Sequence, residues 1–532
     1  MKPPGGWPTV AAMTAATAAE HPETVAVVDG NSQLTYQQLH LAAQEFGAAL
    51  VASGAQVGDR VGIWAPNSLE WVVAALGILE AGAVIVPVNT RFKGAEAADV
   101  LRRSGVRVLV TVTDFLGTDY VASLAATGLE LFDLRTVVVA RGPVPAGSTS
   151  WTAFLDRATV ADRAEVARRA VGLTADDPCD ILFTSGTTGV PKGVVQTHGR
   201  TLGVATDWKA MTGLTVGDRY LMVNPYFHMF GLKAGILASV AAGATMLPEP
   251  VFDAEGVVRR VEATRVTVLP GPPTLYQSLL DYPGRDQHDL ESLRVAVTGA
   301  ADIPVELVRR VREDLPFSLV VTGYGLTEAG TATATSPDDD AETVATTVGR
   351  PRPGFEVRIV DGEDRDTAPG EPGEILLRGG SVMSHYLDDP EATARAFADG
   401  GWLRTGDLGT LDPSGLLRIV GRSKDMFIVG GFNVYPAEVE NYLLEHPAVR
   451  QVAVVGVPDQ RLGEVGMAFV VAEPGSTTTV DQLVEWSRGR MANYKAPRTV
   501  ELVDELPMTA TGKVEKEALR RQAAGRGAGT SR

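Results

Sequence analysis

The segment 181–193, ILFTSGTTGVPKG, combines an apolar run with glycines, hydroxyl side chains and one lysine. Glycines accept positive φ and let backbone N–H groups converge on an anion, and hydroxyls with a lysine can complete a phosphate cradle. Lys192 is followed by Gly193, so the segment is not a Walker A loop. A flexible surface loop is the alternative, which the preceding apolar strand disfavours. The predicted phosphate-binding residues are Thr184, Ser185, Gly186, Thr187, Thr188, Gly189 and Lys192.

Further segments place carboxylates or lysines among glycines and threonines. Taken alone, Glu328 would be interpreted as a solvated loop carboxylate and Asp407 as a turn residue. Gly430 and Gly431 would be interpreted as a tight turn. Taken together and in this order, the motifs resemble those of the adenylate-forming acyl-CoA synthetase (AMP-binding) family over most of the chain. They are segment 184–193, YGLTE (324–328), WLRTGD (402–407), GRSKD (421–425), GGFNVYPAEVE (430–440) and PMTATGK (507–513).

The resemblance implies a two-step reaction. A carboxylic acid attacks the α-phosphate of ATP to give acyl-AMP and pyrophosphate, and the thiol of coenzyme A then displaces AMP. Both reactants of the first step are anions, so positive charge must be supplied at the phosphates. The cofactors implied are ATP, Mg²⁺ and coenzyme A.

The resemblance also assigns roles to single residues. Glu328 is the expected Mg²⁺ ligand, because that ion prefers hard oxygen donors. Thr327 and Thr184 are expected to hydrogen-bond phosphate oxygens, and Lys513 to bridge the carboxylate and the α-phosphate. Lys513, Thr327, Glu328 and His228 are the predicted catalytic residues.

The remaining nucleotide contacts are predicted around the ribose and the adenine. The carboxylate of Asp407 can accept from both ribose hydroxyls, with Arg422 beside the ribose or a phosphate. Small residues after a predicted strand would let the adenine ring approach, although ordinary strand-to-helix packing explains them nearly as well. The predicted residues are Gly299, Ala300, Ala301, Tyr324 and Gly325.

The small C-terminal unit is expected to move. If Lys513 must leave before the thiol enters, one arrangement cannot serve both steps, and the family resemblance implies rotation about Lys424. Gly430 and Gly431 are then expected to bind CoA, lining the passage of its pantetheine arm, where a side chain would block it.

The segment NPYFHMFG (224–231) is expected to face the acid. His228 is the family's histidine beside the substrate carboxylate, the alternative being a core histidine. No acidic residue stands here to pair with a substrate ammonium group, which argues against an amino acid. Lys233 could meet a ring ketone or extend to the surface. The predicted acyl pocket comprises Tyr226, Phe227, Lys233, Pro272, Thr274 and Leu326.

Three segments indicate a narrower substrate class. Segments 268–280, 295–301 and 457–466 resemble bacterial ligases for polycyclic, steroid-ring-derived propanoates, while a fatty acid stays open as an alternative. Two other functions are weighed against the full ligase. One is a partial ligase efficient only in thioester formation from acyl-AMP, and the other is a non-catalytic regulator that binds acyl-AMP or a nucleotide. The intact motif set disfavours both.

Hydropathy patterns predict the elements that must position these residues. Segment 34–53 has helical spacing, and 60–65, 106–112 and 136–140 read as strands, which together indicate a doubly wound α/β body. Segment 350–422 is rich in turn residues and predicts an antiparallel β subdomain. Strands near 426–429, 452–455 and 468–472, with helices at 436–445 and 480–491, predict an α+β unit. We therefore predict an α/β fold with an AMP-binding domain at 1–422 and a small mobile domain at 423–532.

Composition excludes several classes of protein. The chain has 532 residues, of which 45% are hydrophobic and 21% charged, an ordinary globular balance. A net charge of −17 disfavours nucleic acid and anionic membranes as partners. The single cysteine, Cys179, excludes a disulfide framework. The apolar segment 71–88 is predicted to be a buried helix to Glu80 followed by a buried strand. We expect a cytoplasmic protein without a membrane span whose partner is a small carboxylic acid, and the oligomeric state stays open.

Overall fold

A computed structural model describes residues 6–184, 191–299, 305–422, 425–429, 432–459, 461–509 and 513–527. The large N-terminal part contains two mainly parallel sheets with helices packed against them, followed by an antiparallel sheet, as predicted. The helices are Val10–Glu20, Tyr36–Ala52, Leu69–Glu80, Gly94–Ser104, Tyr120–Ala125, Trp151–Leu155, Val160–Gly172, His198–Thr212, Ala238–Ala242, Ala254–Thr264, Pro273–Leu280, Val305–Asp314, Ala341–Thr346 and Pro390–Ala396, with a π-helix at Phe230–Leu237 and a 3₁₀ turn at Arg285–Gln287.

The first sheet has a parallel centre and antiparallel edges. Its two halves are joined by parallel bridges at Val268, which pairs with Tyr220 on one side and Val295 on the other. In spatial order its strands are Ser32–Thr35, Val25–Asp29, Thr245–Pro248, Arg219–Met222, Val295–Gly299, Leu319–Leu326, Gly330–Ala334 and Arg350–Pro351.

The second sheet ends in an antiparallel hairpin that carries both ends of the predicted phosphate-binding segment. The strand Pro178–Thr184 runs parallel to its inner neighbour and antiparallel to Lys192–Thr197. In spatial order the strands are His385–Tyr386, Lys192–Thr197, Pro178–Thr184, Val84–Pro87, Arg60–Trp64, Val106–Val112, Thr136–Arg141 and Thr149–Ser150.

A hydrophobic core joins these sheets to the helices that flank them, with Trp64, Trp71 and Phe46 among its largest buried side chains. The apolar segment near residue 71 forms the helix Leu69–Glu80 and the buried strand Val84–Pro87, as predicted. Glu80 is tolerated in this helix because its Oε1 lies 2.9 Å from Nδ1 of His40. Across the residues that the structure describes, no helix combines the length and the apolar character needed to cross a membrane.

The predicted β subdomain is an antiparallel sheet with its own apolar cluster, which includes Ile375, Leu377 and Leu403. In spatial order its strands are Phe355–Val360, Gly373–Gly379, Trp402–Leu411 and Phe397–Ala398, and Leu417–Arg422 also pairs with Trp402–Leu411.

The smaller C-terminal unit is an α+β domain, as predicted. Its sheet is covered on both faces, by a cluster that includes Phe427 and Leu483 and by another that includes Phe469 and Leu519. Residues 423 and 424 lie outside the described residues, so the boundary at 422 stays a prediction. The strands are Phe432–Val434, Phe427–Val429, Gly463–Ala472, Val449–Asp459 and Thr499–Leu502, and the helices are Pro436–Leu444, Val480–Arg490 and Lys516–Gly527.

Candidate active site

The predicted phosphate-binding segment begins and ends in the hairpin of the second sheet. Thr184 ends one strand and Lys192 begins the next, and the two are paired across the hairpin. The ammonium group of Lys192 lies 4.9 Å from the centre of the Tyr386 ring, a favourable cation–π arrangement. The hairpin therefore fixes both ends of the segment. Ser185, Gly186, Thr187, Thr188 and Gly189 lie outside the described residues.

The YGLTE segment ends the strand Leu319–Leu326 and begins the turn that follows it. Gly325 is required there, because a Cβ at this position would lie 2.2 Å from the carbonyl oxygen of Gly330. This close approach brings Thr327 and Glu328 into the turn before the next strand. Oε1 of Glu328 accepts a hydrogen bond of 2.9 Å from the hydroxyl of Tyr386, and its carbonyl oxygen accepts one of 2.6 Å from the backbone of Met383.

Two of the predicted motifs meet at Asp407, in the strand Trp402–Leu411. The hydroxyl of Tyr324 donates to Oδ2 of Asp407 over 2.6 Å, and the carboxylate is buried. Asp407 is paired across the sheet with the backbone of Arg422; the Arg422 side chain is not among the parts of the chain that the structure describes. Gly299 ends a strand of the first sheet, where a Cβ would lie 3.1 Å from the carbonyl oxygen of Gly323. Ala300 and Ala301 lie outside the described residues.

His228 occupies a loop that is held by two buried asparagines. Asn67 accepts from the backbone N–H of Tyr226 over 2.8 Å and donates to the carbonyl of Asn224, and Asn224 donates to the carbonyl of Pro270. The partly exposed ring of His228 accepts a hydrogen bond of 3.2 Å at Nδ1 from the backbone N–H of Phe230. A neutral ring in this position carries its proton on Nε2.

Lys513 of the small domain contributes to the electrostatics at His228. Burial and, as the smaller cause, the positive charge of Lys513 together lower the pKa of His228 to about 4. The backbone N–H of Thr509 donates to the carbonyl of Lys513 over 2.7 Å. Nη1 of Arg91 in the large domain donates to the carbonyl of Thr509 over 3.2 Å. The two domains therefore meet with Lys513 on the side of His228. Lys424, Gly430 and Gly431 lie outside the described residues.

The acyl pocket prediction needs correction at Tyr226 and Lys233. Both are fully buried, and the ammonium of Lys233 lies 2.8 Å from Oδ1 of Asp180, so neither side chain reaches an open pocket or the surface. Tyr226 packs against Trp71, with ring centres 5.3 Å apart. The sequence analysis overestimated how far these two side chains reach toward the substrate, because it could not place the helix that follows His228. Phe227, Pro272 and Leu326 are partly exposed and Thr274 is exposed, and their role in the pocket stays a prediction.

Sequence reasoning missed Tyr386, Asn67, Asn224 and Arg91. Tyr386 reaches Glu328 only because its short strand pairs with Lys192–Thr197. The asparagines bond backbone atoms far along the chain. Such contacts leave no local spacing signal. Asn67 lies three residues after the buried strand Arg60–Trp64, and a polar residue so close to the end of a buried strand is a signal that could have identified it.

The donors at the site fit the bound metal that the motifs imply. Within the described parts of the chain, no cluster of His, Cys, Asp and Glu forms a protein-only metal cage. Mg²⁺ is commonly held by one or two carboxylates together with substrate phosphates. Glu328 supplies one carboxylate, which Tyr386 orients beside the phosphate hairpin.

Comparisons with known proteins identify the family. The family model for AMP-binding enzymes matches residues 14–387, and the model for their C-terminal domain matches 438–513. A 3-((3aS,4S,7aS)-7a-methyl-1,5-dioxo-octahydro-1H-inden-4-yl)propanoyl:CoA ligase of Rhodococcus jostii is 49% identical, covering 95% of this chain and 97% of the relative. A Mycobacterium tuberculosis protein of the same name is 50% identical, covering 94% and 96%.

Among solved structures, the anthranilate CoA ligase AuaEII in complex with anthranoyl-AMP is similar to this chain with a TM-score of 0.87 and 30% identity. The similarity covers 97% of this chain and 98% of that one. Since the family model, the relatives and the solved structure all span most of the chain, the protein belongs to the family of AMP-binding enzymes.

Proposed function

We propose that this protein is an ATP-dependent acid–CoA ligase that forms an acyl-AMP and then transfers the acyl group to coenzyme A. The observation that carries the proposal is the meeting of Lys513 with the His228 loop across the two domains. A mobile cation beside a neutral histidine suits the approach of a carboxylate to a phosphate, because charge must be neutralised as the two anions join. The name of the two relatives at about 50% identity supports the same activity.

The residues of the first step have separable tasks. The hairpin of Thr184 and Lys192 binds phosphate, and the Tyr324–Asp407 pair holds the ribose hydroxyls. Glu328 would hold Mg²⁺, which supplies positive charge at the phosphate oxygens when bound. Lys513 brings its charge to the oxygens that join in acyl-AMP formation. His228 is neutral because its pKa is about 4, so it offers a hydrogen bond from Nε2 without pairing ionically with the acid.

The second step needs Lys513 to leave. Rotation of the small domain at Lys424 would withdraw the lysine and bring Gly430 and Gly431 to the opening through which CoA enters. The first step uses ATP and the second uses CoA, so we propose the cytoplasm as the place of action.

The substrate class that we propose is a propanoate carried on a fused, ketone-bearing ring system. Support comes from the name that the two relatives carry and from the absence of an acidic residue in segment 224–231 that could pair with a substrate ammonium. Lys233 pairs with Asp180, so a ring ketone would have to be recognised by other groups. A fatty acid is the competing substrate.

The test is acid-dependent release of pyrophosphate, with and without CoA, across fatty, aromatic and polycyclic propanoic acids, with mass spectrometry of the products. We expect release without CoA and a thioester when CoA is added, with the polycyclic acid turned over fastest. Release with fatty acids alone would contradict the substrate class. Thioester formation only from synthetic acyl-AMP would contradict the full ligase and favour a partial one.

A variant separates the two steps. Lys513→Ala should lower pyrophosphate release by roughly 10²–10³-fold, as when one transition-state donor is removed, and should spare thioester formation from preformed acyl-AMP. Arg521→Ala is the matched control, because it removes an exposed positive charge from the same domain. Equal losses in both steps would contradict the role given to Lys513.

A further inference from the structure

A buried network of charged and polar side chains lies behind the active site. Asp180, Gln196, Thr201 and Lys233 are all fully buried. Nζ of Lys233 lies 2.8 Å from Oδ1 of Asp180 and donates to Oε1 of Gln196 over 2.9 Å. The hydroxyl of Thr201 donates to Oδ2 of Asp180 over 2.5 Å. Among the four, only Lys233 was given a role above, in the predicted acyl pocket, and its burial and its pairing with Asp180 rule that role out.

The network links segments that carry separate parts of the site. Asp180 and Gln196 are paired across the hairpin that ends at Thr184 and Lys192. Lys233 lies in the π-helix Phe230–Leu237, which begins two residues after His228, and π-helical turns often occur at functional sites. One ammonium group thus joins the base of the phosphate hairpin to the helix that follows the histidine.

Gln196 extends the network to the metal-binding turn. Its Nε2 donates to the carbonyl of Thr327 over 3.2 Å and to that of Ser381 over 3.3 Å. Because Lys233 holds Oε1, the amide nitrogen of Gln196 must face these two carbonyls. Thr327 is followed directly by Glu328, and Ser381 stands two residues before Met383, whose backbone donates to Glu328. The amide therefore holds both chain segments that position Glu328.

Stability alone is a weak explanation for such a network. Desolvation of two charges costs free energy, and replacing a buried ion pair with apolar residues of similar size is often neutral or stabilising. What a hydrogen-bonded ion pair adds is directional bonds that fix the positions of several elements relative to one another. Here those elements are the phosphate hairpin, the turn of Glu328 and the helix after His228.

We propose that Lys233 and Gln196 are positioning residues for the binding of ATP with Mg²⁺, acting through the hairpin and the Thr327–Glu328 turn. This deepens the proposed function and rests on it for the identity of the nucleotide. Neither residue touches substrate. Their removal should weaken ATP binding while the second step, which uses preformed acyl-AMP and CoA, keeps its rate.

Two variants test the proposal. Gln196→Met removes both donations of the amide and leaves the Lys233–Asp180 contact. The double variant Lys233→Met/Asp180→Asn removes both charges together, because Lys233→Met alone would leave a buried carboxylate unpaired and could prevent folding. The control is Glu80→Gln, which weakens the pair of Glu80 with His40, distant in the chain from every predicted site residue.

The readouts are the Kd of ATP with Mg²⁺ by calorimetry, the KM values of ATP and acid, and thermal unfolding. We expect both network variants to raise the Kd and the KM of ATP by about tenfold, because that is the effect of losing one or two hydrogen bonds. The KM of the acid should not change. Glu80→Gln should lower thermal stability without changing the Kd of ATP.

A Kd of ATP within twofold of wild type in the two network variants would overturn the positioning role. An equal rise in the KM of the acid would overturn it too, and so would an equal rise in the Kd of ATP for Glu80→Gln. In either case the variants would be loosening the whole protein structure rather than the ATP site. Wild-type protein that binds ATP but forms no acyl-AMP would refute the ligase, and the Kd values would still decide this inference. Wild-type protein that binds no ATP would refute both.

Discussion

Tyr386 ties the expected metal ligand to the second sheet. Its hydroxyl donates to Glu328 over 2.9 Å while its ring lies against the ammonium of Lys192. One side chain therefore contacts both the lysine that we propose to bind phosphate and the carboxylate that would hold Mg²⁺. A hydrogen bond to a carboxylate is stronger than one between neutral groups, so the orientation of Glu328 depends on it.

Tyr386→Phe should therefore raise the Mg²⁺ concentration that gives half-maximal pyrophosphate release, by about tenfold, since a hydrogen bond to a charged group is worth about 1.5–3 kcal/mol. The measurement is a Mg²⁺ titration at saturating ATP and acid. Tyr282→Phe, in a distant tyrosine next to the helix Pro273–Leu280, serves as the control. An unchanged or lower Mg²⁺ requirement would mean that the tyrosine does not orient Glu328 for the metal.

His228 gives a second prediction at the scale of one residue. Its pKa is lowered to about 4, first by burial and second by Lys513, so the ring stays neutral at neutral pH. Lys513→Ala should raise this pKa, yet leave it below the ordinary 6.5 because burial is the larger cause. NMR titration of the ring, assigned with His228→Gln, measures both values. A wild-type pKa near 6.5, or no change in Lys513→Ala, would contradict the placement of the lysine.

The same shift has a consequence for stability. Between about pH 6.5 and about pH 4 the unfolded chain binds a proton at His228 that the folded chain does not. The contribution of His228 to stability is therefore present above pH 6.5 and is lost as the pH falls toward 4. Buried His198, whose pKa is also lowered to about 4 by burial, acts in the same direction.

At the scale of elements, periodicity predicted the regular helices and strands well and the irregular ones poorly. The helix predicted over 34–53 spans Tyr36–Ala52 and begins with a capping box at Thr35 and Gln38, and the strand at 106–112 is confirmed. The π-helix Phe230–Leu237 was not predicted, because its residues other than Lys233 are apolar or glycine and show no polar face. That omission explains the errors at Lys233 and Tyr226, since their directions depend on this helix and the loop before it.

The start of the π-helix depends on a glycine. A Cβ at Gly231 would lie 2.1 Å from the carbonyl oxygen of Pro225 and 2.5 Å from its carbonyl carbon. The loop of His228 and the first turn of the helix are thus packed backbone to backbone. A side chain of any size must push them apart.

Gly231→Ala should lower the free energy of unfolding by about 1–3 kcal/mol, the usual cost of overpacking, and should lower acyl-AMP formation because His228 lies in the displaced loop. Denaturant unfolding and pyrophosphate release measure the two effects. Gly217→Ala is the control, because a Cβ there meets nothing within 4 Å. If the two variants have the same free energy of unfolding and the same rate of acyl-AMP formation, the loop can move away from Gly231 without loss of stability or activity.

At the scale of the whole molecule, the domain organisation followed from composition and motifs, but the arrangement of the domains did not. The turn-rich segment from 350 and the separate core near Phe427 are local properties of the sequence. The contact of Arg91 with Thr509 joins residues 418 positions apart, through an exposed side chain and a backbone carbonyl. Nothing in residue type or spacing marks such a pair. It bears on function because it helps hold Lys513 on the side of His228.

Arg91→Ala should therefore shift the small domain away from the arrangement that serves the first step. An exposed contact of this kind is worth about 0.2–1 kcal/mol, so acyl-AMP formation should slow by about two- to fivefold. Thioester formation from preformed acyl-AMP should keep its rate or rise, since the competing arrangement loses a stabilising contact. Single-turnover kinetics of each step measure this, with Arg102→Ala, which removes another exposed arginine of the same domain, as the control. If both steps slow together, Arg91 supports the fold of the large domain. If acyl-AMP formation slows while thioester formation keeps its rate or rises, the small domain must alternate between one arrangement for the first step and another for the second.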